Sequence, residues 1–433
     1  MIRSIFLALS LVALSTFAQA QPQASPAVSN ELAKRVVSDA KFRGVVAAFD
    51  RDFDRFVAEL IKLTEIPAPP FGEWARSQAY LAMLKDAGLE DVQQDSEGNV
   101  MGLWRGKSNG VVPLLAVAAH LDTVFPAGTD VKVKRSGTRL MAPGIGDDTR
   151  GLANVLALVR AMRDAKVETS GDILFIGNVG EEGPGDLRGV RYLFSQSPWK
   201  DRIKRFVTID GENLDLVANG GIGSLRYKVT FKGPGGHSWG AFGTVSPAFA
   251  MGEAMARMGQ LKVPKSPKVS YNVGIVSGGT SVNSIPFEVA MEVDMRAVDP
   301  AALKDIEAKF KKIVADAVEV ENATRSTASG KVTAEFKLIG ERPSGVLSPD
   351  SPVLKQVAAT LGVFDKVSVW QASSTDANIP ISLGIPAFAL GRNSGSKSGR
   401  THSLDEWVDV EKTQAVKDFE LTAAVILSLA ELP

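Results

Sequence analysis

Cysteine is absent from the 433 residues. Disulfides, thiolate zinc sites, iron–sulfur clusters and a cysteine nucleophile are excluded together. Histidine is scarce: only His120, His237 and His402 occur, so any histidine chemistry must use one of them. Neither sign of charge is in excess, with 49 Lys+Arg against 49 Asp+Glu. With no basic run either, nucleic acid and anionic membrane surfaces are poor partners. Beyond the first twenty residues no stretch approaches the ~20 apolar residues that a membrane span needs.

What is present is ordinary globular composition, 45% hydrophobic and 23% charged. A chain of this length is expected to form two domains, each with its own core. Residues 1–20 read as a signal peptide. Arg3 supplies the positive start, Ile5 to Phe17 an apolar stretch, and Ala18-Gln19-Ala20 a small-residue cleavage site. The mature chain is therefore expected to be exported, periplasmic or secreted, and free of the membrane after cleavage. Residues 21–30, polar with two prolines, read as a linker.

Helical spacing runs through residues 31–65 (Val36, Val37, Phe42, Val46, Phe53, Phe56, Leu60, Leu63) and stops at Ile66-Pro67. A second helix is predicted over 73–87, then a hairpin turn at Asp95 to Asn99. Four continuous apolar runs have strand length: 114–119, 173–179, 206–209 and 387–390. A helical stretch over 149–162 separates the first two. Apolar strands alternating with helices predict an α/β fold, a mostly parallel central sheet flanked by helices. Between 223 and 337 the pattern changes to βαββαβ, a ferredoxin-like order. Sheet-like segments resume at Val367, so this unit is inserted. The expected division is 31–222 and 338–433 for the α/β domain and 223–337 for the insert.

The chemistry-bearing residues gather at strand ends. His120 and Asp122 close the run Leu114 to Ala119. Positions two apart on a strand point the same way, so Asp122 can hold one ring nitrogen while the other faces outward. Gly146-Asp147-Asp148 lies in a glycine turn leading into a helix; for Asp148 an N-cap role stays open. Glu181-Glu182 follows the strand ending at Val179. Two adjacent carboxylates repel unless a cation or proton intervenes, and one could bind metal while the other moves a proton. Asp210 closes Phe206 to Ile209, and His402 follows a Gly/Ser-rich loop. Together these favour a metal site. Asp147, Glu182 and Asp210 carry −3, which two divalent ions and one hydroxide would match. Histidine and carboxylate donors suit zinc, with cobalt or manganese as alternatives.

His120-Leu121-Asp122, Gly146-Asp147-Asp148, Gly180-Glu181-Glu182-Gly183, Gly235-Gly236-His237-Ser238 and Thr401-His402 stand in the order and approximate spacing of one family. The chain resembles the co-catalytic di-zinc metallopeptidases that include tripeptidase (peptidase T), carboxypeptidase G, aminoacylase and succinyl-diaminopimelate desuccinylase. The resemblance covers about Phe56 to the C-terminus. It implies that His120, Asp147 and Asp210 bind one metal, and that Asp147 bridges to a second held by Glu182 and His402. It makes Glu181 the general base, Asp122 the orienter of His120, and the Asp147–Asp148 peptide cis. The insert would be a lid and dimerisation domain, giving a homodimer in which His237 reaches the partner subunit's site and stabilises the oxyanion. Asn283 and Arg296 match substrate-holding positions. For Arg296 a plain strand-edge salt bridge remains open, and Glu212 could compete with Asp210.

The implied activity is amide hydrolysis of short peptides, aminopeptidase- or tripeptidase-like, because an Asp at position 210 leans toward substrates with a free amino terminus. The alternative is a carboxypeptidase or N-acyl-amino-acid amidohydrolase; a non-catalytic peptide-binding protein is the remaining option. Gly106-Lys107-Ser108-Asn109-Gly110 fits G-x-S-x-G, but a strand rather than a helix is predicted after it, so it reads as a turn.

Overall fold

The computed structural model describes residues 26–108, 110–393 and 397–432. The predicted signal peptide and most of the linker lie outside them. Pro26 to Asn30 belong to a helix, Pro26–Ser38, not to a linker. The single helical stretch expected over 31–65 is three helices, Pro26–Ser38, Ala40–Arg51 and Phe53–Thr64. The first break is made by Asp39, whose carboxylate accepts from the amides of Lys41 and Phe42 and caps the second helix. All three helices pack on one core, so the apolar period continues across the breaks and hides them.

The central sheet has nine strands. Four neighbours run parallel at its middle: Ile173–Asn178, Leu114–His120, Ile203–Asn213 and Ala387–Asn393. Val100–Trp104 and Glu90–Gln94 add antiparallel pairs at one side, and Leu216–Gly221 at the other. Burial on both faces explains the continuous apolar runs. Along Leu114–His120, Leu115, Val117 and Ala119 enter a cluster with Phe49, Leu152 and Phe419. Leu114, Ala116 and Ala118 enter another with Val190, Leu193 and Ile379. Among the described residues no helix is long and apolar enough to cross a membrane.

The inserted segment builds a separate four-stranded antiparallel sheet, ordered Val269–Gly278, Glu288–Ala297, Gly223–Lys232, Thr333–Arg342. Helices Pro247–Gln260 and Pro300–Thr324 supply Met251, Ala254, Phe310 and Val314 to its core, against Val229 and Phe231. The last strand runs to Arg342, past the expected boundary at 337. Glu341 there is tied to the nine-stranded domain, its amide donating to Asp186. The strand Val269–Gly278 is an outer edge, and Ile275 and Val276 on it are exposed.

Candidate active site

Strands that run parallel deliver their carboxyl ends to one crevice, where open α/β sheets place ligands. Here that crevice is a cleft of about 590 Å³, lined by Asp147, Glu181, Glu182, Asp210 and His402 from the nine-stranded domain and by Arg226 and Arg296 from the insert.

Asp147 is the hub. Its Oδ1 is 3.1 Å from His120 Nε2 and its Oδ2 is 3.1 Å from His402 Nε2. His402 Nε2 is also 2.9 Å from Glu182 Oε1, and Asp210 Oδ1 lies 3.9 Å from His120 Nε2. The Asp147–Asp148 peptide bond is cis. The turn is clasped by Glu406, whose carboxylate accepts from the amides of Gly144, Gly146 and Asp147. Asp148 is not a helix cap: its Oδ2 accepts from the His120 amide at 3.1 Å.

The donor set fits divalent ions. Zinc ligands about 2.0–2.2 Å from one ion stand roughly 3.3–3.6 Å apart, and the contacts above bracket that spacing. His120 Nδ1 donates to the Asp122 carbonyl at 3.0 Å, which leaves the Nε2 lone pair facing carboxylate oxygens. Such an arrangement requires a cation between the acceptors, either a proton or a metal. Protons alone would be held strongly. Hydrogen bonds donated to Asp147 and Glu182 raise His402 to about 10. Burial and the neighbouring Asp147 push Asp210 well above the usual carboxylate range. Asp147 goes the other way: burial opposes its charge, but Arg392 and both histidines hold it well below that range. His120, Asp147 and Glu182 form one candidate ligand group, and His120, Asp148 and Asp210 another.

Glu181 sits beside the ligands, fully enclosed. Burial lifts it to about 8 although Arg342 pulls it down. Arg342 Nη1 is 3.0 Å from Glu181 Oε1, also 3.0 Å from Ser374 Oγ, and Nη2 donates to the Glu181 carbonyl. Asp122 faces His120 through its carbonyl, and its carboxylate has a second set of partners. Its carboxylate stands 3.6 Å from His120 Nδ1 and accepts instead from the amides of Glu181 and Glu182, at 3.1 and 2.7 Å. Thus its carbonyl orients the histidine while its carboxylate positions the paired glutamates.

The structure brings His120, Asp122, Asp147, Glu181, Glu182, Asp210, His402 and Arg296 to this cleft. Arg296 is paired through Nε with Asp294 at 2.7 Å, and Arg226 grips the same carboxylate at 3.2 Å. His237 and Asn283 are not brought there. His237 lies on a two-stranded ladder, Gly236–His237 against Ser284–Ile285, and Asn283 in the turn just before Ser284; both are exposed, and His237 Nδ1 accepts from the amides of Trp239 and Gly240. The side chain of Glu212 lies outside the described residues. Sequence reasoning missed Arg392, Arg342 and Glu406. Arg392 had a usable signal, since it follows the run 387–390 at a sheet-strand end, as His120 and Asp210 do.

Comparison with known proteins places this architecture. The family model for peptidase family M20/M25/M40 matches residues 116–431, and the chain belongs to that family. It is thus a metal-dependent hydrolase by family. Carboxypeptidase G2 of Pseudomonas sp. (strain RS-16) is 24% identical over 323 residues, 71% of this chain and 75% of that protein. A probable carboxypeptidase of Ajellomyces capsulatus is 25% identical over 252 residues, 52% of this chain; the chain spans about half (55%) of that relative. Among solved structures, aminopeptidase PepT from Bacillus cereus superposes with TM-score 0.70 at 20% identity, covering 87% of this chain and 99% of that one. A dinuclear metal binding peptidase of Bacillus subtilis from the M20 family gives 0.61 at 16% identity, covering 86% and 97%.

Proposed function

We propose that this chain is an exported di-metal hydrolase that cleaves amide bonds of short peptides, aminopeptidase- or tripeptidase-like. The observation that carries the reading is the convergence of His120, Asp147, Glu182, Asp210 and His402 within contact distance, with Glu181 enclosed beside them. His120, Asp147 and Asp210 would hold one ion, and Asp147, Glu182 and His402 the other; zinc is the first choice, cobalt or manganese the alternatives. When bound, two such ions polarise the scissile carbonyl and make water a stronger acid.

The chain's own groups do the rest. Glu181, lifted toward neutrality by burial, takes a proton from the attacking water and passes it to the leaving amine. Arg342 and the Asp122-held backbone keep that carboxylate in place. Arg296 offers a planar fork to a substrate carboxylate. His237 would complete the site of a second copy in a homodimer, donating to the developing oxyanion. Its exposure next to Trp239 (86% exposed) and Phe242 (92%) supports an interface there. The signal-peptide pattern read in residues 1–20 supports export to the periplasm or beyond.

A carboxypeptidase or N-acyl-amino-acid amidohydrolase is the second reading, favoured by the two guanidinium groups, Arg226 and Arg296, on the cleft wall. One comparison separates the two: a tripeptide against its N-acetylated form, with zinc- or cobalt-loaded mature protein, scoring released amino acids. Cleavage of the free-amine peptide alone supports the first reading. Cleavage or deacetylation of the acetylated compound alone moves the assignment to the second.

A further inference from the structure

The charge of the centre changes once a fourth carboxylate is counted. Asp148 is fully buried behind Asp147. Both of its oxygens are occupied by N–H donors: Oδ2 by the His120 amide at 3.1 Å, Oδ1 by Arg392 Nη1 at 3.1 Å. Two N–H donors, one of them a permanent cation, favour the ionised form of this carboxylate against the cost of its burial.

Arg392 is the cation that answers it. The side chain is 5% exposed. Nε donates to the Gly211 carbonyl at 3.0 Å, and Nη1 donates to the Gly146 carbonyl and lies 3.3 Å from Asp147 Oδ1. Nη2 is 4.0 Å from Asp210 Oδ1. A guanidinium does not lose its proton in proteins, so this charge is permanent. The backbone delivers it there by close approach. Pairing with the Asp210 strand slips between Ala389 and Gly391, and a Cβ on Gly391 would run into the Asn213 backbone.

With Asp147, Asp148, Glu182 and Asp210 ionised, Arg392 leaves the cluster at −3, which two divalent ions and one hydroxide match. Without Arg392 the cluster would be over-charged by one. Asp148 could then also act as a ligand, because His120, Asp148 and Asp210 present donor atoms close enough to share an ion.

We propose that Arg392 is a counter-cation built into the metal centre, paired with Asp148, and that this pair sets how tightly the carboxylates hold divalent cations. The inference rests on the di-metal reading above. It gives the two members of the pair opposite effects, which a merely structural arginine would not have.

The test is calorimetric titration of Mn2+ alone into metal-stripped protein: wild type, Arg392→Gln, Asp148→Asn, the double variant and Arg392→Lys. Folding is checked by circular dichroism. A unit charge about 5 Å from a divalent ion changes its binding by roughly tenfold or more even at water-like screening. Asp148→Asn is therefore expected to weaken Mn2+ binding at least ~10-fold and Arg392→Gln to tighten it by a similar factor. The double variant should return to within about threefold of wild type, and Arg392→Lys should stay close to it. Weaker binding in Arg392→Gln, or a double variant weaker than Asp148→Asn alone, overturns the proposal. If Arg392→Gln does not fold, the near-isosteric Asp148→Asn and the double variant still decide: equal affinities in wild type and Asp148→Asn overturn it. If wild type binds Mn2+ but the variants do not move as stated, only this inference fails. If wild type binds no divalent cation, the di-metal reading fails with it.

Discussion

In the nine-stranded domain the carboxylates of the cleft are buried or nearly so and face basic or N–H groups of the same chain, whereas in the insert His237 and Asn283 stand exposed. Asp147 alone touches His120, His402 and Arg392 and is held at its amide by Glu406. The His237 ring accepts from two amides of its own turn, with exposed Trp239 and Phe242 beside it. Buried charge must be paired where it stands, so the first region shows its chemistry in a single chain. The exposed apolar rings beside the His237 imidazole are what the proposed homodimer would cover.

Three changes would break or sharpen that contrast. The largest effect is expected at Glu181, wholly inside the first region. Glu181→Gln should lower turnover by about 10²–10⁴-fold while metal content, measured by elemental analysis, stays near wild type. Loss of metal would mean that Glu181 and Glu182 have exchanged roles. Next, His237→Ala should retain fold and metal but lose roughly 10²–10³-fold in turnover. Mixing it with Glu181→Gln protein should restore activity, since a mixed dimer holds one site with an intact base and an intact partner histidine. Absence of restoration under conditions of subunit exchange would remove the partner-subunit role and the contrast with it.

The smallest effect is expected at Glu406. Glu406→Gln loses part of the clasp on three amides and should cost about 1–3 kcal/mol in a denaturation experiment. Burial and the nearby Asp147 lift Glu406 to about 7 from an ordinary 4.5. A raised carboxyl favours the native state below the unfolded value, and that contribution fades as pH rises from about 4.5 to about 7. The Gln variant should flatten the wild-type stability curve across that window; an unchanged curve would show that Glu406 does not set it.

Much of the architecture was legible because its physical cause is local. Strands covered on both faces must be apolar throughout, so Leu114 to Ala119 and Ile173 to Val179 announce themselves. A His, Asp or Glu directly after such a run sits where the sheet opens. Three things were hidden. The helix breaks at Asp39 and Asp52 interrupt no apolar period, because the pieces share a core. Which group of Asp122 orients His120 depends on where the Glu181–Glu182 backbone lies, which no spacing reports. Arg342 and Arg392 are counter-charges to carboxylates more than 150 residues away in the chain, and pairing of that kind is set by tertiary convergence.

The clasp by Glu406 also fixes an order of events during synthesis. The Asp147 turn emerges early, yet the carboxylate that holds its amides and the histidine that faces Asp147 Oδ2 come from near the far end of the chain. Until residues 402–406 have been made, the acidic turn lacks both its restraint and its opposite wall. A chain cut between the Asp147 turn and residue 402 would therefore keep most of its acidic ligands yet lose the contacts that hold them in register.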